Sequence, residues 1–323
     1  MRPRSPDLDH VLRQEHGCLR VRDHLALRGQ VARAVARGEL LRVFPGVVLA
    51  AGIAYDPEHV MVALRLWEPR AVLLGRSAAH LFRPGLVGLT GVDASVVRLP
   101  RHAAPPEVTL HAIQWPDPLV WGAGPWWFQT PAAAALWAAQ HGDWALLTEG
   151  LRTNAFSVPR LLEARDLAPL GLRKAWRQVM VRAGRGPWSP AELDLHDFYR
   201  RAGLRGWKAN HRLDFPTGGH CFLDSAFVES RVGVEVDSRE HHSAPAAVEA
   251  GWIRHNRVES TGWRLLHVSP RRILSDPDGI LAELIPLLSP RELGRLGGAR
   301  RRRAGTGPAQ PLRRPLGWGD LTA

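Results

Sequence analysis

The stretch Cys221–His242, CFLDSAFVESRVGVEVDSREHH, constrains the chain more than any other part of it. Val232, Val234 and Val236 alternate with Gly233, Glu235 and Asp237, the period-two pattern of a half-buried strand. An earlier apolar run, Phe222–Phe227, carries Asp224 and is joined to the first by the turn-like Val228–Glu229–Ser230–Arg231. If the two runs pair, Asp224, Glu235 and Asp237 can face one point. Carboxylates held together repel unless something positive lies between them, and a divalent metal with hard oxygen ligands is the usual occupant.

This order of residues resembles the metal site of the PD-(D/E)xK nuclease superfamily. It is closer still to a bacterial branch of endonuclease-like domains related to the very short patch repair endonucleases. That branch reads an Asp, then E-x-D-G opening a short His-containing loop. Here the run is Glu235–Val236–Asp237–Ser238, then His241–His242. Asp237 stands where the superfamily has Lys, a change the branch shares, and Ser238 stands where the branch has Gly. Downstream, Ala246–Thr261 is helix-compatible, and Gly262–Trp263 leads into Arg264–Val268. This is similar to the family's arginine-rich helix, Gly-Trp and final strand of the same sheet. Arg254 and Asn256 fall on its Arg-x-Asn pair, while Gly251 replaces the acid that often precedes that Arg. Ahead of the hairpin, Ser189 reads as a helix cap and Pro190 as the first helical residue. Glu192 resembles the helix-borne acid that leans toward the metal through water.

The resemblance implies a restriction-endonuclease-like α/β/α sheet and Mg²⁺-dependent (or Mn²⁺-dependent) hydrolysis of phosphodiesters. Asp224, Glu235 and the Val236 carbonyl would hold one metal. Asp237 would bind a second metal, orient the attacking water or accept its proton. His241 or His242 would act as general acid or base, since His titrates near neutrality. Arg254 would contact the scissile phosphate or hold Glu235 in place.

Near the N-terminus, Leu8–His16, Val21–Leu27 and Gln30–Arg37 read as three short helices, closed by Gly17, near Gly29 and by Gly38. Leu40–Phe44 and Val47–Ala50 flank Pro45–Gly46 as a hairpin. Three helices and a hairpin describe a winged helix. In its third helix Val31, Ala34 and Val35 share one face, and Gln30, Arg33 and Arg37 share the other. That second face suits a DNA major groove, with Arg42 beside it on the hairpin. The run Gly38–Val48 resembles "G-x-L-x-R-V-x-x-G-V-Y" of the AbiEi-type antitoxin N-terminal domain, with Val48 in place of Tyr.

The region between is rich in Ala, Leu and Trp. Val60–Trp67, Ala71–Phe82, Pro131–Gln140, Trp144–Arg152 and Val158–Ala164 read as helices, and Val108–Trp115 and Trp126–Gln129 as strands. It contains no metal-ligand spacing, nucleophile elbow or phosphate loop, and His80, His102, His111 and His141 are isolated in sequence. The order looks like the body that follows the antitoxin-type winged helix in actinobacterial proteins ending in an endonuclease-like domain. The expected organisation is an α/β multidomain protein. It has a winged helix at 1–54, a mixed, mainly helical α/β middle region at 55–186, an endonuclease-like domain at 187–290 and a basic tail at 291–323.

The net charge of +12 permits DNA as a partner without requiring it. Residues 290–323 hold eight Arg against Glu292 and Asp320, so about half of the excess lies in the tail. No apolar run approaches the length that spans a bilayer, and MRPRSPDLDH lacks the apolar core of a secretory signal. The expected location is the cytoplasm, with no membrane partner. The functional expectation is a Mg²⁺-dependent endonuclease targeted to DNA by its winged helix. The competing one is a non-catalytic DNA-binding antitoxin or transcriptional regulator carrying a degenerate nuclease fold, with a toxin or defence-system partner. Oligomeric state is open.

Overall fold

A computed structural model describes residues 6–101, 104–237, 245–294 and 296, with only the backbone at 245–248. The chain forms two compact units, Met1–Pro190 and Ala191–Ala323, each mixed α/β. Among the described residues no helix is long and apolar enough to cross a membrane.

The first unit begins with α1 (Pro6–Gln14), β1 (Cys18–Arg20), α2 (Arg28–Ala36), β2 (Leu40–Phe44) and β3 (Val47–Ala50). The strands form an antiparallel sheet in the order β1-β3-β2, turning at Gly46 with a φ of 74° that suits glycine. Leu8, Leu12, Val31, Ala34 and Val48 close a small core over it. The helix expected at Val21–Leu27 is not formed. Gly17, at φ 78°, releases the chain from α1 straight into β1, and the Val21 N–H then donates to the Gly46 carbonyl (2.8 Å). What remains forms two 3₁₀ turns, Val21–Asp23 and Leu25–Leu27, and Gly29 lies inside α2 instead of ending a helix.

The unit continues with α3 (Pro57–Trp67), β4 (Val72–Leu73), α4 (Gly75–Phe82), β5 (Val92–Ser95), β6 (Val108–His111), β7 (Val120–Ala123) and β8 (Trp126–Gln129). Four helices follow: α5 (Pro131–Gln140), α6 (Ala145–Arg152), α7 (Val158–Leu167) and α8 (Arg173–Ala183). The five strands order as β6-β5-β4-β8-β7. The segment Ala71–Phe82 is therefore not one helix: Val72 and Leu73 pair with strands on both sides, and the helix starts at Gly75. The expected strand Val108–Trp115 stops at His111. Helix α5, PAAAALWAAQ, is apolar all round, and every residue but Gln140 is buried, as such a sequence requires. Residues of β1, β2 and β3 (Cys18, Phe44, Leu49) share this larger core, so the N-terminal sheet and the middle region are packed as one body.

The second unit comprises α9 (Pro190–Ala202), β9 (Trp207–Asp214), β10 (His220–Phe227), β11 (Val232–Val236), α10 (Pro245–Glu259), β12 (Arg264–Val268), α11 (Pro270–Ser275) and α12 (Pro277–Leu284). Helix α9 starts at Pro190, where the sequence places it, and the expected hairpin and final strand are present. The sheet order is β12-β11-β10-β9. Strand β12 runs parallel to β11, a connection that needs a crossover, and α10 supplies it. Ser269 and Asp276 cap α11 and α12 by accepting from the Arg272 and Gly279 N–H groups (3.2 and 3.0 Å). Of the expected basic tail, residues 295 and 297–323 lie outside the described residues. Its first residues belong to the fold: Glu292 and Leu293 are buried, and Glu292 accepts from the Glu229 N–H (3.0 Å) and the Ser230 hydroxyl.

Gly233 has no side chain because the space above it is taken. A Cβ there would lie 2.7 Å from Leu265 Cδ2 and 3.0 Å from Leu223 Cδ1. Gly233→Ala is expected to destabilise the second unit by about 1–3 kcal/mol through overpacking, measured as a lower denaturant midpoint at unchanged slope.

Candidate functional site

Strand β11 lies between β10 and β12 and has two unlike faces. Val232 and Val234 pack into the core containing Leu195, Phe198 and Tyr199 of α9. Gly233 and Glu235 turn to the opposite face, where α10 contributes Val258 and Arg254. The ladder pairs Ser225 with Val234, Ala226 with Gly233 and Phe227 with Val232, so Asp224 comes next, across from Glu235 at the end of the pairing. The Val236 N–H donates to Asp224 Oδ2 (2.8 Å) and fixes that carboxylate at the strand end.

Glu235 is 6% exposed, and a buried carboxylate needs a partner. The Arg254 guanidinium donates to both its oxygens (2.7 and 2.6 Å) and also to the Phe222 carbonyl (2.6 Å). Burial first, then the charges of Glu235 and Asp237, push the Asp224 carboxyl above the usual Asp range. The Val236 N–H and Arg254 oppose that rise. Asp237 follows β11, and its N–H donates to the Val268 carbonyl (2.8 Å).

Asp224, Glu235, Val236, Asp237 and Arg254 are thus drawn together as the sequence suggests. Glu192 is buried in the first turn of α9, the helix whose Tyr199 hydroxyl meets Ser225 Oγ (2.8 Å) on the sheet face away from Arg254. His241 and His242 lie outside the described residues. Among those described, no three His, Cys, Asp or Glu side chains form a ready-made metal cage. The donor chemistry nevertheless fits a hard cation. A carboxylate has about four lone-pair sites and the Arg254 fork uses two, which leaves Glu235 acceptor capacity for a cation.

The sequence missed two residues here. His267 on β12 pairs with Glu235 in the parallel register, and its Nδ1 lies 4.0 Å from Asp237 Oδ2. His255, next to Arg254 on α10, brings its Nδ1 within 3.2 Å of His267 Nε2. The signal was the alternation within Arg264–Val268, which puts Leu265 and His267 on the Glu235 face once the register is known.

In the first unit, Arg33 and Arg42 are exposed. The other two expected DNA contacts are differently disposed. Gln30 is half-buried with its Oε1 turned inward, and Arg37 is held by Glu39 (2.7 and 3.0 Å), a pairing that a helix-face reading does not reveal. Arg28 joins Arg42, Val31 and Gly46 around a 210 Å³ cavity between α2 and the hairpin. In the middle region His111 and His141 are not isolated in space. His111 Nε2 lies 2.9 Å from Asp93 Oδ1, the Trp137 indole donates to Asp93 Oδ2 (2.6 Å), and His141 caps α5 through the Trp137 carbonyl (2.8 Å).

No protein-family model matches the chain, and no curated protein is significantly similar to it.

Removing Arg254 leaves Glu235 buried without its cation. Arg254→Ala is expected to cost about 1–3 kcal/mol, below the range for fully buried pairs because the guanidinium is partly exposed; chemical denaturation measures it. Asp224 has the opposite sign. Its folded-state pKa is raised, so the folded chain binds the extra proton as pH falls from neutrality, and the charged form costs stability at neutral pH. In chelator, Asp224→Asn is therefore expected to be more stable than the parent at pH 7. The advantage should shrink as the pH drops through the Asp range, which thermal melts at a series of pH values will show.

Proposed function

We propose that the second unit is a metal-dependent nuclease of restriction-endonuclease-like fold. The first unit would carry a winged helix of AbiEi-type antitoxin character that brings it to DNA. The observation that carries this reading is the meeting of Asp224 and Glu235 across the β10–β11 pair, with the Asp224 carboxyl forced above its ordinary pKa by burial and by its acidic neighbours. A carboxyl displaced from its ordinary range by burial and charged neighbours is a common mark of a functional site.

Asp224, Glu235 and the Val236 carbonyl are the groups that would hold Mg²⁺ or Mn²⁺. When bound, such an ion lowers the pKa of a coordinated water and offsets charge on a phosphate. Arg254 positions Glu235 by gripping its carboxylate and the Phe222 carbonyl at once. Asp237, beyond the strand end, is the proton acceptor offered where the superfamily carries Lys. Arg33 and Arg42, exposed on α2 and β2, would engage phosphates or base edges.

One observation favours the second reading, a DNA-binding antitoxin or transcriptional regulator with a degenerate nuclease fold and a toxin or defence partner. The Arg254 guanidinium already neutralises Glu235, so this site can be stable without a metal.

Supercoiled and single-stranded DNA incubated with the full chain and Mg²⁺ or Mn²⁺ separate the two readings. Cleavage by the parent and none by Asp224→Ala is the expected result. No cleavage by the parent under either metal would leave the regulator. For the first unit, Arg33→Ala is expected to reduce the slope of log affinity against log salt by about one, read by gel shift at several salt concentrations.

A further inference from the structure

The α10 face of the sheet carries a second group of side chains that the nuclease reading does not use. His267 stands on β12 beside Glu235, and His255 reaches it from α10, with 3.2 Å between His255 Nδ1 and His267 Nε2. The rings are not stacked: their centroids are 5.4 Å apart and their planes differ by 32°. Two imidazole nitrogens bound to one tetrahedral zinc at 2.0–2.1 Å would lie about 3.4 Å from each other, close to the separation seen.

Both histidines stand on supports fixed by other contacts. β12 is held in its parallel register against β11, and the turn of α10 that carries His255 is clamped by Arg254, the preceding residue. On the far edge of the His267 ring, Asp237 Oδ2 lies 4.0 Å from Nδ1. With that carboxylate on its Nδ1 edge, His267 presents Nε2 to His255. Carboxylate–histidine–metal arrangements use this same polarity. Asp237 adds a negative charge beside the pair, which favours an added cation.

We infer that His255 and His267 form a bis-imidazole site for a borderline transition-metal ion of the Zn²⁺ class, distinct from the oxygen donors Asp224 and Glu235, with Asp237 as the carboxylate behind His267. Nitrogen donors select such ions over Mg²⁺, which prefers oxygen and holds its water. Water or a phosphate oxygen completes the coordination. The site does not depend on the nuclease reading, since it needs neither Asp224 nor DNA.

The test is calorimetric titration of the full chain with Zn²⁺ in a large excess of Mg²⁺, paired with Co²⁺ absorption in the visible range. The parent should bind one more Zn²⁺ ion than the double variant His255→Ala/His267→Ala. Each single variant should weaken that event at least about tenfold, and Asp237→Asn by about 10–100-fold, the range for second-shell carboxylates. In ¹⁵N-labelled protein, Zn²⁺ should shift His255 Nδ1 and His267 Nε2 and leave their other ring nitrogens protonated. Asp224→Ala should bind Zn²⁺ as the parent does while losing cleavage, so failure of one reading is distinguishable from failure of the other. Should the alanine variants not fold by circular dichroism, His255→Gln and His267→Gln take their place. Equal Zn²⁺ stoichiometry and affinity in parent and double variant, or unshifted imidazole nitrogens, would overturn the inference.

Discussion

A carboxylate that cannot reach water must find a cation, and in the second unit that requirement organises the site. Glu235 is fixed by the same alternation that buries Val232 and Val234, so it cannot turn away without slipping the strand and exposing the valines. Arg254 meets the requirement from a helix rather than from a strand. The guanidinium therefore ties the crossover to both strands of the hairpin, through Glu235 on β11 and the Phe222 carbonyl on β10. Asp224 receives no such fork. Burial first, then the charges of Glu235 and Asp237, outweigh the Val236 N–H and the Arg254 charge, and that contrast between two adjacent acids gives the site its chemical character.

The first unit solves a different problem. Its central helix α5 has no polar face, so it must be wrapped by other elements, and α4, α6, α7 and α8 surround it while the five-stranded sheet closes one side. Two of the polar groups that enter that core are held by defined partners. The Trp137 indole reaches Asp93, and the Gln129 side-chain oxygen accepts from the Gly75 N–H (2.9 Å) where the chain turns from β4 into α4.

The parts legible in the sequence were those whose pattern is local. Val232–Val236 alternates over enough residues to announce a strand, and Pro131–Gln140 matches the observed helix to the residue. The turn between β2 and β3 was readable from Pro45–Gly46. Elements set by tertiary pairing were not. Val72–Leu73 and Cys18–Arg20 are too short to carry a period, and each becomes a strand only because a neighbour offers a free edge. Strand β9 was overlooked because its residues, Trp207–Asp214, are mostly polar and sit at the sheet edge. At the site, Asp224, Glu235, Asp237 and Arg254 could be grouped from spacing and resemblance. His255 and His267 could not, because their meeting depends on a parallel register that a crossover helix sets.

That crossover also imposes a sequence of events on folding. Strands β10 and β11 are joined by a short turn and can pair through local contacts, whereas Arg254 comes with α10 and β12 only after it. A β10–β11 pair formed without α10 would hold Asp224 and Glu235 with no Arg254 guanidinium to offset them. Docking of α10 therefore brings two things at once: the guanidinium that Glu235 needs and the apolar contact of Val258.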